Sequence, residues 1–150
     1  MTTYSHTQRG TLIQGLFFPL TLVFPCLWIF TKLPSSGVMV LVIVEMVIVF
    51  AIALFHSLTV SVDENYLRIK FGIGLIKTSF RIAEITNATR VQNHWYDGWG
   101  IRLLNNGYLY NVSGLSAVEF SLSSGAVHRI GTDEPEALTQ AINNARLASV

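Results

Sequence analysis

The chain has 150 residues, a formal net charge of +1, 51% hydrophobic and 13% charged residues, and a mean hydropathy of +0.46. Soluble domains carry about twice that charged share, so the composition argues against an ordinary soluble protein, and the near-neutral balance argues against the basic footprint that nucleic acid requires. The single cysteine, Cys26, excludes an internal disulfide and suits a reducing compartment.

Residues 1–10 read as a tail. Beyond them, no Asp, Glu, Lys or Arg occurs between Arg9 and Lys32, and Glu45 alone interrupts the stretch from Lys32 to Asp63. Roughly 20 apolar residues at 1.5 Å each cross a hydrocarbon core about 30 Å thick, so residues 11–32 and 38–57 are predicted transmembrane helices. Leu33-Pro34-Ser35-Ser36-Gly37 is the tight connection between them. A cleaved signal peptide fits poorly, because the first run is longer than a signal core and leads into a second. Core helices of a soluble bundle would show a polar face, and neither run has one. Arg9 ahead of the first helix, and Arg68, Lys70, Lys77 and Arg81 after the second, outweigh Lys32 at the tip, which places both termini in the cytoplasm.

Glu45 sits inside the run VLVIVEMVIVF, residues 40–50. An acid near the bilayer centre costs about 2.5 to 3.5 kcal/mol, whereas the surrounding Leu, Ile, Val and Phe return roughly 4 to 8, so the helix inserts despite it. In an antiparallel hairpin Glu45 faces the level of Pro25 and Cys26. Pro25 has no N–H for the carbonyl of Thr21, and a protonated carboxylic acid is a donor for that acceptor, which makes Glu45 a candidate clasp across the hairpin. Pairing with another subunit or a membrane-protein partner, and movement of protons or ions, are the two other readings. One acid without an intramembrane base does not make a pathway alone.

From Leu58 the pattern changes to short alternating segments. Strands are expected at 58–62, 66–71, 75–80, 88–92, 100–104, 108–112, 117–122 and 127–130. Leu67, Ile69 and Phe71 share one face, and Asn105-Asn106-Gly107 and Ser123-Ser124-Gly125 form hairpin turns. Asp133 with Glu136 makes a D-x-x-E capping box with Pro135 in the first turn, and Leu138, Ala141, Ile142, Ala145 and Ala148 form one face of a helix. About seven strands followed by one amphipathic helix imply a curved antiparallel sheet or partly open barrel whose open end the helix covers. Asn87-Ala88-Thr89 and Asn111-Val112-Ser113 match the glycosylation pattern, a coincidence in a cytoplasmic domain.

Residues 58–150 resemble a bacterial pleckstrin-homology (PH) domain. The resemblance rests on Asp97-Gly98-Trp99-Gly100-Ile101-Arg102, Tyr110-Asn111-Val112-Ser113-Gly114, Ala117-Val118-Glu119, and the run from Arg129 through Asp133 to Pro135 that leads into the helix. Two transmembrane helices ahead of such a domain match the small membrane-anchored members. The resemblance implies a bacterial inner-membrane protein whose fold binds or scaffolds rather than catalyses.

Phosphoinositide binding, the function most associated with PH folds, needs converging Lys and Arg, and Arg68, Lys70, Lys77 and Arg81 are weak headgroup candidates. From Leu58 onward eight basic residues face eight acidic ones, so the domain is neutral. Each basic residue at an anionic surface adds only about 1 kcal/mol. Catalysis, cofactors and metals find no support: His94, Asp97 and His128 lack partners at motif spacing, and Gly72-Ile73-Gly74 lacks the third glycine of a dinucleotide site. Trp95, Tyr96 and Trp99 cluster on a loop, either capping the core or touching lipid headgroups or a partner. The expected function is a membrane-anchored, non-catalytic interaction or scaffold module that engages a membrane-protein partner or itself. The alternative is a lipid-surface sensor using the aromatic loop and the basic strands on anionic headgroups.

Overall fold

The computed structural model describes residues 2–31 and 34–149. Lys32 and Leu33, expected at the hairpin tip, lie outside the described residues. Two antiparallel helices, α1 (Thr11–Thr31) and α2 (Ser35–Phe55), stand on a body of two sheets and one further helix. Both are long and apolar enough to cross a membrane, and no residue of either is buried within the chain. Pro19 and Pro25 lie inside α1, and each removes one helical N–H.

The stretch read as a tail is a strand, β1 (Thr2–Arg9). It alternates with period two: Tyr4, His6 and Gln8 turn inward while Thr3, Ser5, Thr7 and Arg9 are exposed. Its inward residues are polar or aromatic rather than aliphatic, which hid it from hydrophobic patterning. β1 runs antiparallel to β2 (Ser57–Asp63), which pairs with β3 (Tyr66–Phe71), which in turn pairs with β4 (Ile76–Arg81). The chain thus begins this sheet, leaves through the helical hairpin and re-enters beside its own first strand. Gly10 N–H donates to the carbonyl of His56 at 2.7 Å and the Gln14 amide donates to the same oxygen at 3.2 Å, which fixes the foot of α1 level with the end of α2.

The second sheet contains β5 (Ile85–Gln92), β6 (Gly100–Leu104), β7 (Gly107–Asn111), β8 (Ser116–Leu122) and β9 (Val127–Gly131), in the spatial order β5-β8-β9-β7-β6. The two sheets do not close into a barrel, and β7 pairs with β9 in parallel, so the expected curved antiparallel sheet or partly open barrel is corrected to two sheets, one of them mixed. Phe80 of β4 packs edge-on against Phe120 of β8 with ring centroids 5.0 Å apart, and Phe71 of β3 meets Tyr110 of β7 at 6.4 Å. These contacts join the inner faces of the sheets.

Helix α3 (Pro135–Ala148) packs on β5 and β8 of one sheet and on β1 and β2 of the other. Leu138 and Ile142 are fully buried, and each such side chain contributes about 1.5 to 3 kcal/mol. The capping box expected of Asp133 and Glu136 does not form: Glu134 is the N-cap and no side chain caps the helix. Asp133 instead contacts the His6 ring at 2.7 Å, and Glu136 pairs with Arg90, so tertiary partners took both carboxylates from the local motif. Ala148, expected on the buried face, is exposed where the helix runs past the body.

Candidate functional site

Glu45 and Pro25 line one cleft between α1 and α2, together with Phe24, Trp28, Leu41 and Val42 among its wall residues. The cleft encloses about 330 Å³. Cys26 points away from it, into a shallower groove with Leu22, Leu27 and Phe30. The level of Glu45 is the one its position in the hairpin implies. Oε2 of Glu45 is buried and has no hydrogen-bond partner among the described residues. The Thr21 hydroxyl donates to the carbonyl of Phe18 at 2.7 Å, within its own helix. An unsatisfied acid in an apolar cleft costs more than a paired one, so the chain presents here an acceptor, or a donor when protonated, that its own side chains leave open.

The aromatic loop forms a short 3-10 turn, Trp95–Asp97. The Asp97 carboxylate accepts from His94 N–H at 2.8 Å, and the His94 ring stacks on Tyr96 at 4.9 Å. Trp95 is 75% exposed and Tyr96 66%, so neither caps the core. Trp99 differs: it lines a second cleft, of about 550 Å³, at the foot of the hairpin. Leu12, Ile13, Leu16 and Phe17 of α1 form one wall, Ala51 and Phe55 of α2 another, and Gly100, Ile101 and Arg102 of β6 close it. Arg102 Nε donates to the Trp99 carbonyl at 3.2 Å, and its guanidinium has no carboxylate partner among the described residues.

Three of the four basic headgroup candidates, Arg68, Lys70 and Lys77, line one cleft with Thr59, Ser61 and Ser79, and Arg81 lies outside it. Arg68 is engaged by Asp63 and lies over the Tyr66 ring at 5.1 Å. Burial works against the Asp63 carboxylate, but the Asn65 N–H, the Arg68 guanidinium and the Tyr66 N–H outweigh it and hold the group below its ordinary value. Lys70 and Lys77 stand directly opposite each other across β3 and β4, and Arg81 lies at the far end, opposite Tyr66. Between the lysines and the hairpin is the β3–β4 turn, where Ile73 N–H donates to the Ala53 carbonyl of α2 at 3.3 Å. Ile73 and Leu75 of that turn are exposed, a feature the sequence pattern left unremarked because isolated apolar residues in turns carry no periodicity.

His128 belongs to the core rather than to a site. It is buried against Phe80, Tyr108, Tyr110 and Phe120, and Tyr108 N–H donates to its Nδ1 at 3.2 Å. Burial lowers its pKa. Burial and the nearby Glu134 carboxylate push the Tyr4 phenol up to about 12, and its hydroxyl donates to Glu134 at 3.4 Å. These groups fasten β1 to the start of α3. In comparisons with protein-family models, curated proteins and solved structures, none matched this chain.

Proposed function

We propose that the chain is a membrane-anchored, non-catalytic PH-like interaction or scaffold module of a bacterial inner membrane, with its hairpin crossing the bilayer and its β body on the cytoplasmic side. The observation that carries this reading is the buried, unpartnered Glu45 carboxyl oxygen in the cleft between α1 and α2. A hairpin alone gains nothing from an unsatisfied acid at membrane depth. A second copy, or another membrane protein whose helix offers a hydrogen-bonding side chain, would satisfy it and fill the apolar cleft. The neutral charge balance and the ion-paired Arg68 speak against a strong headgroup site.

The test is the complex retained by the full chain in mild detergent. Glu45→Gln keeps a hydrogen-bonding group of nearly the same size and retains the complex, whereas Glu45→Leu loses it. A complex intact with Leu at this position refutes the interface. The lipid-surface reading draws on a different observation, the exposed Ile73 and Leu75 beside the hairpin with Lys70 and Lys77 behind them. A chain that is monomeric with either Glu or Leu at position 45 favours that second reading.

A further inference from the structure

We infer that the cleft at the foot of the hairpin is a binding site for one glycerophospholipid, with its acyl chain against α1 and its phosphate on Arg102. This rests on the reading of the hairpin as membrane-spanning. Three features of the cleft define the ligand. Its walls are apolar where they belong to the helices: Leu12, Ile13, Leu16 and Phe17 on α1, and Ala51 and Phe55 on α2. From Leu12 to Phe17 the wall runs about 7.5 Å along the helix axis, from the helix end toward the bilayer interior. Its upper rim comes from β6 and carries one charged lining residue, Arg102, which has no acidic partner among the described residues.

The volume of about 550 Å³ lies within the range of small-molecule sites, about 300 to 1,000 Å³. The depth is set by hydrogen bonds. Gly10 and Gln14 both donate to the His56 carbonyl, so the first turn of α1 and the end of α2 lie at one level, and Gly100 of the rim sits beside the Phe55 ring at that end of α2. Hydrocarbon below, and above it a guanidinium with no carboxylate partner among the described residues, match a molecule with an apolar tail and an anionic head, and phosphate is the anion that a bilayer presents at that level. Trp99 beside Arg102 adds the amphipathic ring favoured at the same depth. A soluble anion would leave the apolar walls unfilled, and a hydrocarbon chain alone would leave Arg102 unpaired.

The experiment places the full chain in nanodiscs of phosphatidylcholine with or without phosphatidylglycerol, extracts it in mild detergent, and counts retained phospholipid by native mass spectrometry. Wild type retains one phospholipid. Arg102→Gln removes the cation from an exposed position and lowers the retained fraction roughly tenfold, the scale of one charge-assisted hydrogen bond. Ala51→Trp fills the cleft from the opposite wall and lowers it similarly, while Arg90→Gln, a charge loss at an exposed position on the far strand β5, leaves it unchanged. Retention of either lipid supports a phosphodiester site, and retention of phosphatidylglycerol alone makes net negative charge part of the recognition. The inference is overturned if wild type carries no lipid, if Arg102→Gln retains as much as wild type, or if Arg90→Gln loses as much as Arg102→Gln. A chain that does not enter nanodiscs overturns the membrane-spanning reading as well, and that outcome differs from a chain that enters and retains nothing.

Discussion

Replacing Gly72 with alanine tests whether the β body is docked on the hairpin as the structure shows. Gly72 has φ of +41°, and a Cβ there would overlap the carbonyl oxygens of Ala53 and Leu54 in the last turn of α2. Gly125, in the β8–β9 turn, has φ of +86° and open space around the same point. The left-handed conformation costs a non-glycine residue about 1 to 2 kcal/mol at both positions. Alanine recovers about 0.4 to 1 kcal/mol of this by restricting the unfolded chain, again equally. Only position 72 adds the cost of pushing two packed segments apart, about 1 to 3 kcal/mol. At roughly 2 to 4 °C per kcal/mol for a chain of this size, Gly72→Ala should unfold about 2 to 12 °C below Gly125→Ala. Near-ultraviolet circular dichroism of the full chain in mild detergent follows the transition. Equal midpoints for the two variants would mean that the β3–β4 turn does not rest on α2, and would remove the basis for placing Ile73 beside the hairpin.

Ile142→Ala, at a fully buried position, should cost about 2 to 5 kcal/mol in thermal unfolding, whereas Leu147→Ala, at a residue 78% exposed on the same helix, should leave the midpoint within about 1 °C. Comparable losses would place α3 in a different rotation. The pKa of His128 is lowered by burial, so the folded state holds the ring neutral while the unfolded chain takes up a proton near the ordinary value of about 6.5. Stability should therefore be complete above that pH and decline as pH falls through it toward the lower folded value. Denaturant titrations of wild type and His128→Gln across this range check the sign, since the variant should lose that part of the decline.

The two apolar helices were legible because their charge-free length matches a bilayer core at 1.5 Å per residue, and the strand segments from Tyr66 onward and the buried face of α3 because their side-chain periodicity follows from backbone geometry: two per repeat in a strand and 3.6 residues per turn in a helix. The level of Glu45 beside Pro25 was legible for the same reason, since the residue count from a tight connection sets height along an antiparallel pair. What sequence alone could not decide was how elements distant along the chain compete for one another. β1 carries polar inward residues whose partners lie more than 100 positions away, Gln8 on the Ser113 carbonyl and His6 on Asp133, so no local pattern announced it. Asp133 and Glu136 had the spacing of a cap, but His6 and Arg90 took them. Trp99 and Arg102 became walls of one cleft only because β6 was brought to the foot of α1, as the outermost strand of a sheet whose parallel β7–β9 pairing no hairpin turn could specify. Local periodicity records how a segment divides its side chains between faces, while the identity of what covers each face is a property of the whole packed chain.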